Sequence, residues 1–174
     1  MVNEASDYKS LYSRAQTGGN QEAVELLKFA YTDRTLSKQE MVLAAELIQT
    51  KLEDAPDYRR YQIGRLFRLG GNVKKAVQIF DYLSYEKGFA PAQWMFGRMI
   101  VYGEVPIFEK EDGINLLRTA QKNGHIRAPV TRLIAEFSDS SRLLKIAKAL
   151  CLVPYVLRFR FYKDILKVRD FRIL

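Results

Sequence analysis

Residues 61–70 read YQIGRLFRLG, and residues 94–103, which lie 33 positions further along the chain, read WMFGRMIVYG. The two stretches share both glycines, and they share the arginine that follows the first glycine, Arg65 in one stretch and Arg98 in the other. A period of this length is typical of helical repeat proteins, in which each repeat is a pair of helices that stacks on the next pair. The match therefore predicts a repeat fold.

Apolar residues recur every three or four positions along most of the chain, as at Val24, Leu27 and Tyr31. This spacing places apolar side chains on one face of a helix, whereas the alternation expected of strands is nearly absent. We therefore predict an all-α fold of about ten short helices. The breaks between them are expected at turn-forming clusters near residues 18–20, 54–56, 70–72, 88–91, 103–106, 123–124 and 138–141.

Small residues occupy helix interiors in both matched stretches. Gly64 and Gly97 fall in the middle of predicted helices, where glycine costs about 1 kcal/mol relative to alanine. Such a cost needs a packing reason, and a close approach between two helices supplies one. We expect larger residues such as Phe67 and Phe96 to fill the layers between successive helix pairs.

Glycine, alanine and large apolar residues recur at fixed spacing between Ala92 and Ala128. These residues are Phe96, Gly97, Gly103, Gly113, Leu116, Ala120 and Gly124. The pattern resembles the Sel-one-like repeat, a short relative of the tetratricopeptide repeat, and a looser match precedes it. The resemblance covers roughly residues 57–137 and implies a right-handed α-solenoid of antiparallel helix pairs.

The chain departs from the family pattern at several positions. Arg59 stands where an alanine is expected, Gly113 replaces the alanine of the helix pair, and residues 105–108 lengthen one turn. The expected organisation has N-terminal helices with a degenerate repeat, a repeat region, and basic amphipathic C-terminal helices in one continuous domain. The expected boundaries are 1–56, 57–137 and 138–174.

The charge of the chain is concentrated near its C-terminus. The formal net charge is +8, and residues 138–174 carry nine basic against three acidic residues, which leaves +2 for the first 137 residues. A surplus of this kind favours acidic partners such as acidic peptides, phosphates or anionic lipid. Nucleic acid is disfavoured, because no nucleic-acid-binding motif is present and the body of the chain has little excess charge.

Catalytic chemistry is not expected. The sequence has no nucleophile elbow, phosphate-binding loop or dinucleotide fingerprint, and its single histidine and single cysteine, His125 and Cys151, cannot form a zinc site of cysteine and histidine alone. His125 is expected to cap a helix or lie on the surface, and Cys151 to be a buried small side chain. We predict a non-enzymatic protein without a cofactor or metal.

Two features of the sequence favour a cytoplasmic protein. The N-terminus is polar and acidic, unlike a secretory signal peptide. The longest apolar run, residues 149–157, contains Pro154 and has about half the length that a membrane-spanning helix requires.

The resemblance also implies which residues contact a partner. In tetratricopeptide-like stacks the first helix of each pair lines a concave groove, which makes the chain a scaffold or adaptor for a peptide or protein. The groove positions are Tyr61, Arg65, Arg68, Trp94, Arg98 and Tyr102, with Leu69 and Val101 beside them. Arginine beside an aromatic ring suits a carboxylate, a phosphate or a flat ring. The alternative is that Tyr61 and Trp94 pack inside the fold and that the arginines are only solvated.

A second candidate surface lies in the C-terminal segment. Its basic residues are Arg158, Arg160, Lys163, Lys167 and Arg169. All of these except Arg160 border a wide apolar stripe on a predicted helix, which is typical of a segment that lies on an anionic membrane surface or docks on a partner. The alternative is a terminal helix that caps the last repeat. The first possibility makes the chain a peripheral protein at the inner face of a membrane.

Overall fold

A computed structural model of the chain describes residues 4–33, 35–137 and 153–154. In these ranges the fold is all-α, as the sequence predicts, with eight helices of ten to fourteen residues and no strand. The helices are α1 (Glu4–Thr17), α2 (Asn20–Thr32), α3 (Lys38–Lys51), α4 (Asp57–Leu69), α5 (Val73–Tyr85), α6 (Ala90–Val101), α7 (Lys110–Lys122) and α8 (Ala128–Phe137). None of these described helices is long and apolar enough to cross a bilayer.

The predicted breaks as far as residue 124 coincide with helix ends, and four of them share one geometry. Gly71, Gly88, Gly103 and Gly124 adopt positive φ, a conformation that glycine enters without a steric penalty. At Gly103, the N–H of Glu104 donates to the carbonyl oxygen of Met99 at 2.9 Å, which satisfies a carbonyl that the end of α6 leaves open. The equivalent residue after α4 is Gly71, one position beyond the glycine that the sequence match selects.

The contacts of the chain divide it into two compact units, Met1–Ile79 and Phe80–Leu174, and the division falls inside α5. The domain boundaries expected near residues 56 and 137 stay predictions.

In the first unit, α1 and α2 form an antiparallel pair. Tyr8 near the start of α1 lies against Phe29 near the end of α2, with 6.5 Å between ring centroids. Arg14 near the end of α1 forms an ion pair with Glu25 in α2 at 2.5 Å. The Tyr8 hydroxyl also donates to the carbonyl oxygen of Glu40 at 3.0 Å, which joins α1 to α3.

In the second unit, α6 and α7 meet back to back through two glycines. A Cβ added to Gly97 would lie 2.7 Å from the carbonyl oxygen of Gly113, and a Cβ added to Gly113 would lie 2.8 Å from the carbonyl oxygen of Gly97. A Cβ on Gly113 would also lie 2.8 Å from a methyl carbon of Val101. The close approach predicted at Gly97 is therefore confirmed. Gly113, which replaces the alanine of the family pattern, has the same cause, because the methyl group of an alanine would collide with the carbonyl oxygen of Gly97.

Candidate partner-binding site

The helix α6 carries one charged side chain, Arg98, and one further polar side chain, Gln93, in a mostly apolar sequence. Most of its residues are buried, whereas the side chain of Arg98 is half-buried. Spacing of four residues places Trp94 and Arg98 on one side of the helix, and Tyr102 extends this side just past the helix end. The structure thus groups the three groove positions predicted for this unit.

Trp94 is held by two contacts from the chain that follows α7. Its indole Nε1 donates to the Thr131 hydroxyl oxygen in α8 at 2.9 Å. The ring of His125 stacks on the indole, with centroids 4.8 Å apart and planes inclined by 19°. Trp94 is only 7% exposed. The indole therefore packs α6 against the start of α8 and exposes little surface to a partner.

His125 is the buried half of this stack. The sequence predicts a capping or a surface role for this residue. The capping role is confirmed, because the backbone N–H of His125 donates to the carbonyl oxygen of Ala120 at 2.8 Å, whereas the surface position is wrong, because the residue is 3% exposed. Burial, together with the nearby charge of Arg127, lowers the pKa of His125 to about 4. The imidazole is therefore neutral at neutral pH. Within the described chain, its Nδ1 has no hydrogen-bond partner.

Two arginines approach the same indole. The guanidinium carbons of Arg98 and Arg127 each lie 5.8 Å from the centroid of the Trp94 ring. The Arg98 guanidinium carbon is also 5.8 Å from the centroid of Tyr102, a residue that is 51% exposed. These are cation–π distances, at which the ring quadrupole attracts the positive charge. Two positively charged guanidinium groups thus lie beside Trp94, and the neutral imidazole of His125 adds no further charge at neutral pH.

Arg98 makes no ion pair with any described residue. Other arginines of the same unit do: Arg118 lies 2.9 Å from a carboxylate oxygen of Glu111, and Arg132 lies 3.0 Å from one of Glu136. Among the described residues, the guanidinium of Arg98 has two aromatic neighbours, Trp94 and Tyr102, and no hydrogen-bond acceptor. An indole has no hydrogen-bond acceptor, so its contact with Arg98 leaves guanidinium N–H groups available to another molecule.

The first unit contains the matching arginine in a different setting. Arg65 lies 6.0 Å from the ring centroid of Tyr61, which is 1% exposed, so the contact with the aromatic residue four positions earlier is repeated. Arg65 also lies 4.8 Å from the ring centroid of Tyr31 in α2 and donates to the Tyr31 hydroxyl. Arg68, the third predicted residue of this unit, is half-buried in the same helix.

Sequence reasoning missed the residues that surround the predicted arginines. Tyr31 lies 34 positions before Arg65, and Thr131 lies 37 positions after Trp94, so no local pattern connects either pair. Arg127 also received no role. The glycine that ends α7 places the backbone of His125 at the helix cap, but no signal in the sequence predicts that its ring is buried against Trp94.

The predicted basic surface at Arg158, Arg160, Lys163, Lys167 and Arg169 lies outside the described residues, as does Cys151. Their roles stay predictions.

No protein-family model matches the chain, and comparisons with curated proteins and with solved structures give no match either. The resemblance to Sel-one-like repeats therefore rests on the residues of this chain alone.

Proposed function

We propose that this chain is a non-catalytic scaffold or adaptor that binds a peptide or protein partner in the cytoplasm. It would be built as a right-handed α-solenoid of about ten helices, from Sel-one-like, tetratricopeptide-like helix pairs. The partner would bind in the concave groove that this resemblance implies. The groove residues would be Tyr61, Arg65 and Arg68 of the first unit and Trp94, Arg98 and Tyr102 of the second. The arginines and Tyr102 would contact the partner, and the buried rings of Tyr61 and Trp94 would orient Arg65 and Arg98.

The contacts between helices support the repeat part of the proposal. Within the first unit α1 contacts α2 and α3, and α2 contacts α3 and α4, while within the second unit α6 contacts α7 and α8. Contact with both the next helix and the one after it is expected when helix pairs stack in sequence. The antiparallel pairing of α6 and α7 through Gly97 and Gly113 agrees with this arrangement.

One observation carries the binding part of the proposal. Arg98 is positioned by two aromatic rings, is half-buried, and has no carboxylate partner in the described chain. A positive charge that is held in place but left without a counter-charge favours an external anionic group, because the cost of ordering the side chain has already been met.

The test uses the two equivalent arginines together. Affinity capture followed by mass spectrometry would identify a partner, and calorimetry would then compare its binding to the unaltered chain and to the Arg65→Glu, Arg98→Glu double variant. We expect the double variant to keep its helicity and melting temperature and to bind at least tenfold more weakly, a loss of about 1.4 kcal/mol. Unchanged affinity would rule out these residues as the site.

A second candidate function follows from the charge of the C-terminal segment. Residues 138–174 carry a net charge of +6, and each basic residue near an anionic membrane surface contributes roughly 1 kcal/mol that salt screens. The chain would then be a peripheral protein at the inner face of a membrane. Co-sedimentation with anionic liposomes that is lost at high salt and on removal of residues 154–174 would support it. A full-length chain that ignores anionic liposomes at low salt would exclude it.

A further inference from the structure

The second unit carries a surface that we call the Arg98 platform, formed by Trp94, Arg98, Tyr102 and Arg127. Trp94 is the rigid, buried part of this platform, because its indole is stacked on His125 and hydrogen-bonded to Thr131. We infer that this platform binds an acidic peptide segment of a partner protein, with a side-chain carboxylate accepting hydrogen bonds from the guanidinium of Arg98. The inference rests on the proposed scaffold function and names the class of partner.

The chemistry of Arg98 favours a carboxylate. A guanidinium presents a planar fork of N–H donors that pairs with both oxygens of one carboxylate. Its position between two aromatic rings restricts its rotamers, so that less entropy is lost when the bond forms. The guanidinium carbons of Arg127 and Arg98 each lie 5.8 Å from the centroid of the Trp94 ring, so both charges are close to the same indole. The second positive charge strengthens the local attraction for an acidic segment.

The surroundings favour a peptide over a small inorganic anion. Tyr102 is exposed beside Arg98, and the turn that follows it exposes Ile107, which is 82% accessible. An exposed aromatic ring next to an arginine is typical of protein-binding surfaces, where apolar contact accompanies a charge-assisted hydrogen bond, and Ile107 adds an exposed aliphatic side chain in the following turn. A segment in which acidic and apolar residues alternate matches both features.

The equivalent arginine of the first unit, Arg65, has fewer donors available than Arg98 of the second unit. Arg65 occupies the equivalent helix position, yet one of its N–H groups donates to the Tyr31 hydroxyl and its guanidinium also stacks on the Tyr31 ring. Arg98 has no such hydroxyl partner among the described residues. The same sequence pattern therefore leaves more donors available at Arg98.

The experiment uses the only tryptophan of the sequence as its reporter, since Trp94 is itself the base of the platform. The full chain is titrated with a synthetic peptide of alternating Glu and Leu, and with a matched peptide in which Gln replaces each Glu. We expect a saturable change in Trp94 fluorescence with the Glu peptide only. Arg98→Gln should weaken this binding at least tenfold, and Arg98→Lys should weaken it less, because it keeps the charge but not the planar fork.

The matched control is Arg118→Gln, which removes an equal charge from an exposed arginine that already pairs with Glu111 and Glu136. It should bind the Glu peptide like the unaltered chain, and circular dichroism should show unchanged helicity for all three variants. Equal weakening by Arg98→Gln and Arg118→Gln would show attraction to the overall positive charge and would overturn the inference. So would the absence of a change with the Glu peptide, or a saturable change that appears only with inorganic phosphate or with anionic vesicles.

This result is separable from the test of the proposed function. If a captured partner binds and the double arginine variant loses it, while the Glu peptide leaves Trp94 unchanged, only the acidic-segment inference fails. If the Glu peptide binds as described and a captured protein partner is insensitive to the double variant, Arg98 binds acidic peptides but is not the contact site of that partner, and the proposed groove fails.

Discussion

Arg65 and Arg98 follow equivalent glycines in α4 and α6, and each lies close to the aromatic ring four residues before it. Their further neighbours differ. Arg65 donates to the hydroxyl of Tyr31 from α2, whereas Arg98 lies against the exposed ring of Tyr102, just past the end of its own helix. The repeated sequence pattern thus reproduces the contact between the arginine and the aromatic ring four residues earlier. Residues of the neighbouring helix decide how many N–H donors of the arginine stay available to a partner.

The aromatic residues beneath the arginines differ less. Tyr61 is 1% exposed and Trp94 is 7% exposed, so both are packing residues of their own units. Their equivalence suggests that the aromatic side chain orients the arginine and that the arginine makes the outward contact.

The largest expected effect comes from removing these rings. Tyr61→Ala and Trp94→Ala should each lower the free energy of unfolding by about 3–5 kcal/mol, because a large buried side chain is lost and a cavity is left. Tyr102→Ala, which removes a half-exposed ring from the same cluster as Trp94, should cost under about 1 kcal/mol. Chemical denaturation followed by circular dichroism measures all three. A small effect of Trp94→Ala would mean that the indole does not hold α6 against α8.

The stability of the chain should depend on pH through His125, its only histidine. Its folded pKa of about 4 lies below the value near 6.5 of an unfolded chain, so the unfolded chain takes up the proton first as pH falls. This stability contribution is complete above about pH 6.5 and is lost progressively down to about pH 4. The total loss is about 3 kcal/mol.

Denaturation at pH 7, 5.5 and 4.5 would measure this loss, with His125→Gln as the control that lacks the titrating group. The difference in stability between the two proteins should shrink steadily over this range. A pH dependence identical in both would show that the imidazole is not buried in its neutral form.

Local signals in the sequence predict most of the described helices. Apolar residues at three- and four-residue spacing, with glycine, proline and small polar residues between the helices, identify the all-α class and most of the helix ends, because both depend on residues close together in the chain. The break between α2 and α3, at residues 33–37, is not among the predicted ones. Gly97 is predictable for a similar reason, since a glycine in a helix interior signals close packing.

The surroundings of the two arginines are not predictable in this way. Tyr31 and Thr131 reach Arg65 and Trp94 from other helices, and their positions depend on how those helices pack. The burial of His125 likewise depends on Trp94, which is 31 positions away in the chain. Contacts of this kind carry no periodic signal in a single sequence.

Gly113→Ala distinguishes the close helix packing of the structure from the alanine that the family pattern expects. The two predict opposite changes in the free energy of unfolding. If the family pattern were right at this position, replacing glycine by alanine in a helix interior would raise the free energy of unfolding by about 1 kcal/mol. The structure places the added methyl group 2.8 Å from the carbonyl oxygen of Gly97, so we expect a net loss of about 1–3 kcal/mol from overpacking. Thr119→Ala, at an exposed position of the same helix, is the control and should change stability by less than about 0.5 kcal/mol. A stabilised Gly113→Ala variant would contradict the back-to-back approach of α6 and α7.

The most direct test of the difference between the two arginines is to measure the affinity of one captured partner for Arg65→Gln and for Arg98→Gln separately. Both substitutions should leave the melting temperature nearly unchanged, since neither side chain is fully buried. We predict that Arg98→Gln weakens binding at least tenfold, or about 1.4 kcal/mol, and that Arg65→Gln weakens it clearly less, because Tyr31 already accepts one of its hydrogen bonds. Equal losses, or a larger loss for Arg65→Gln, would contradict the account.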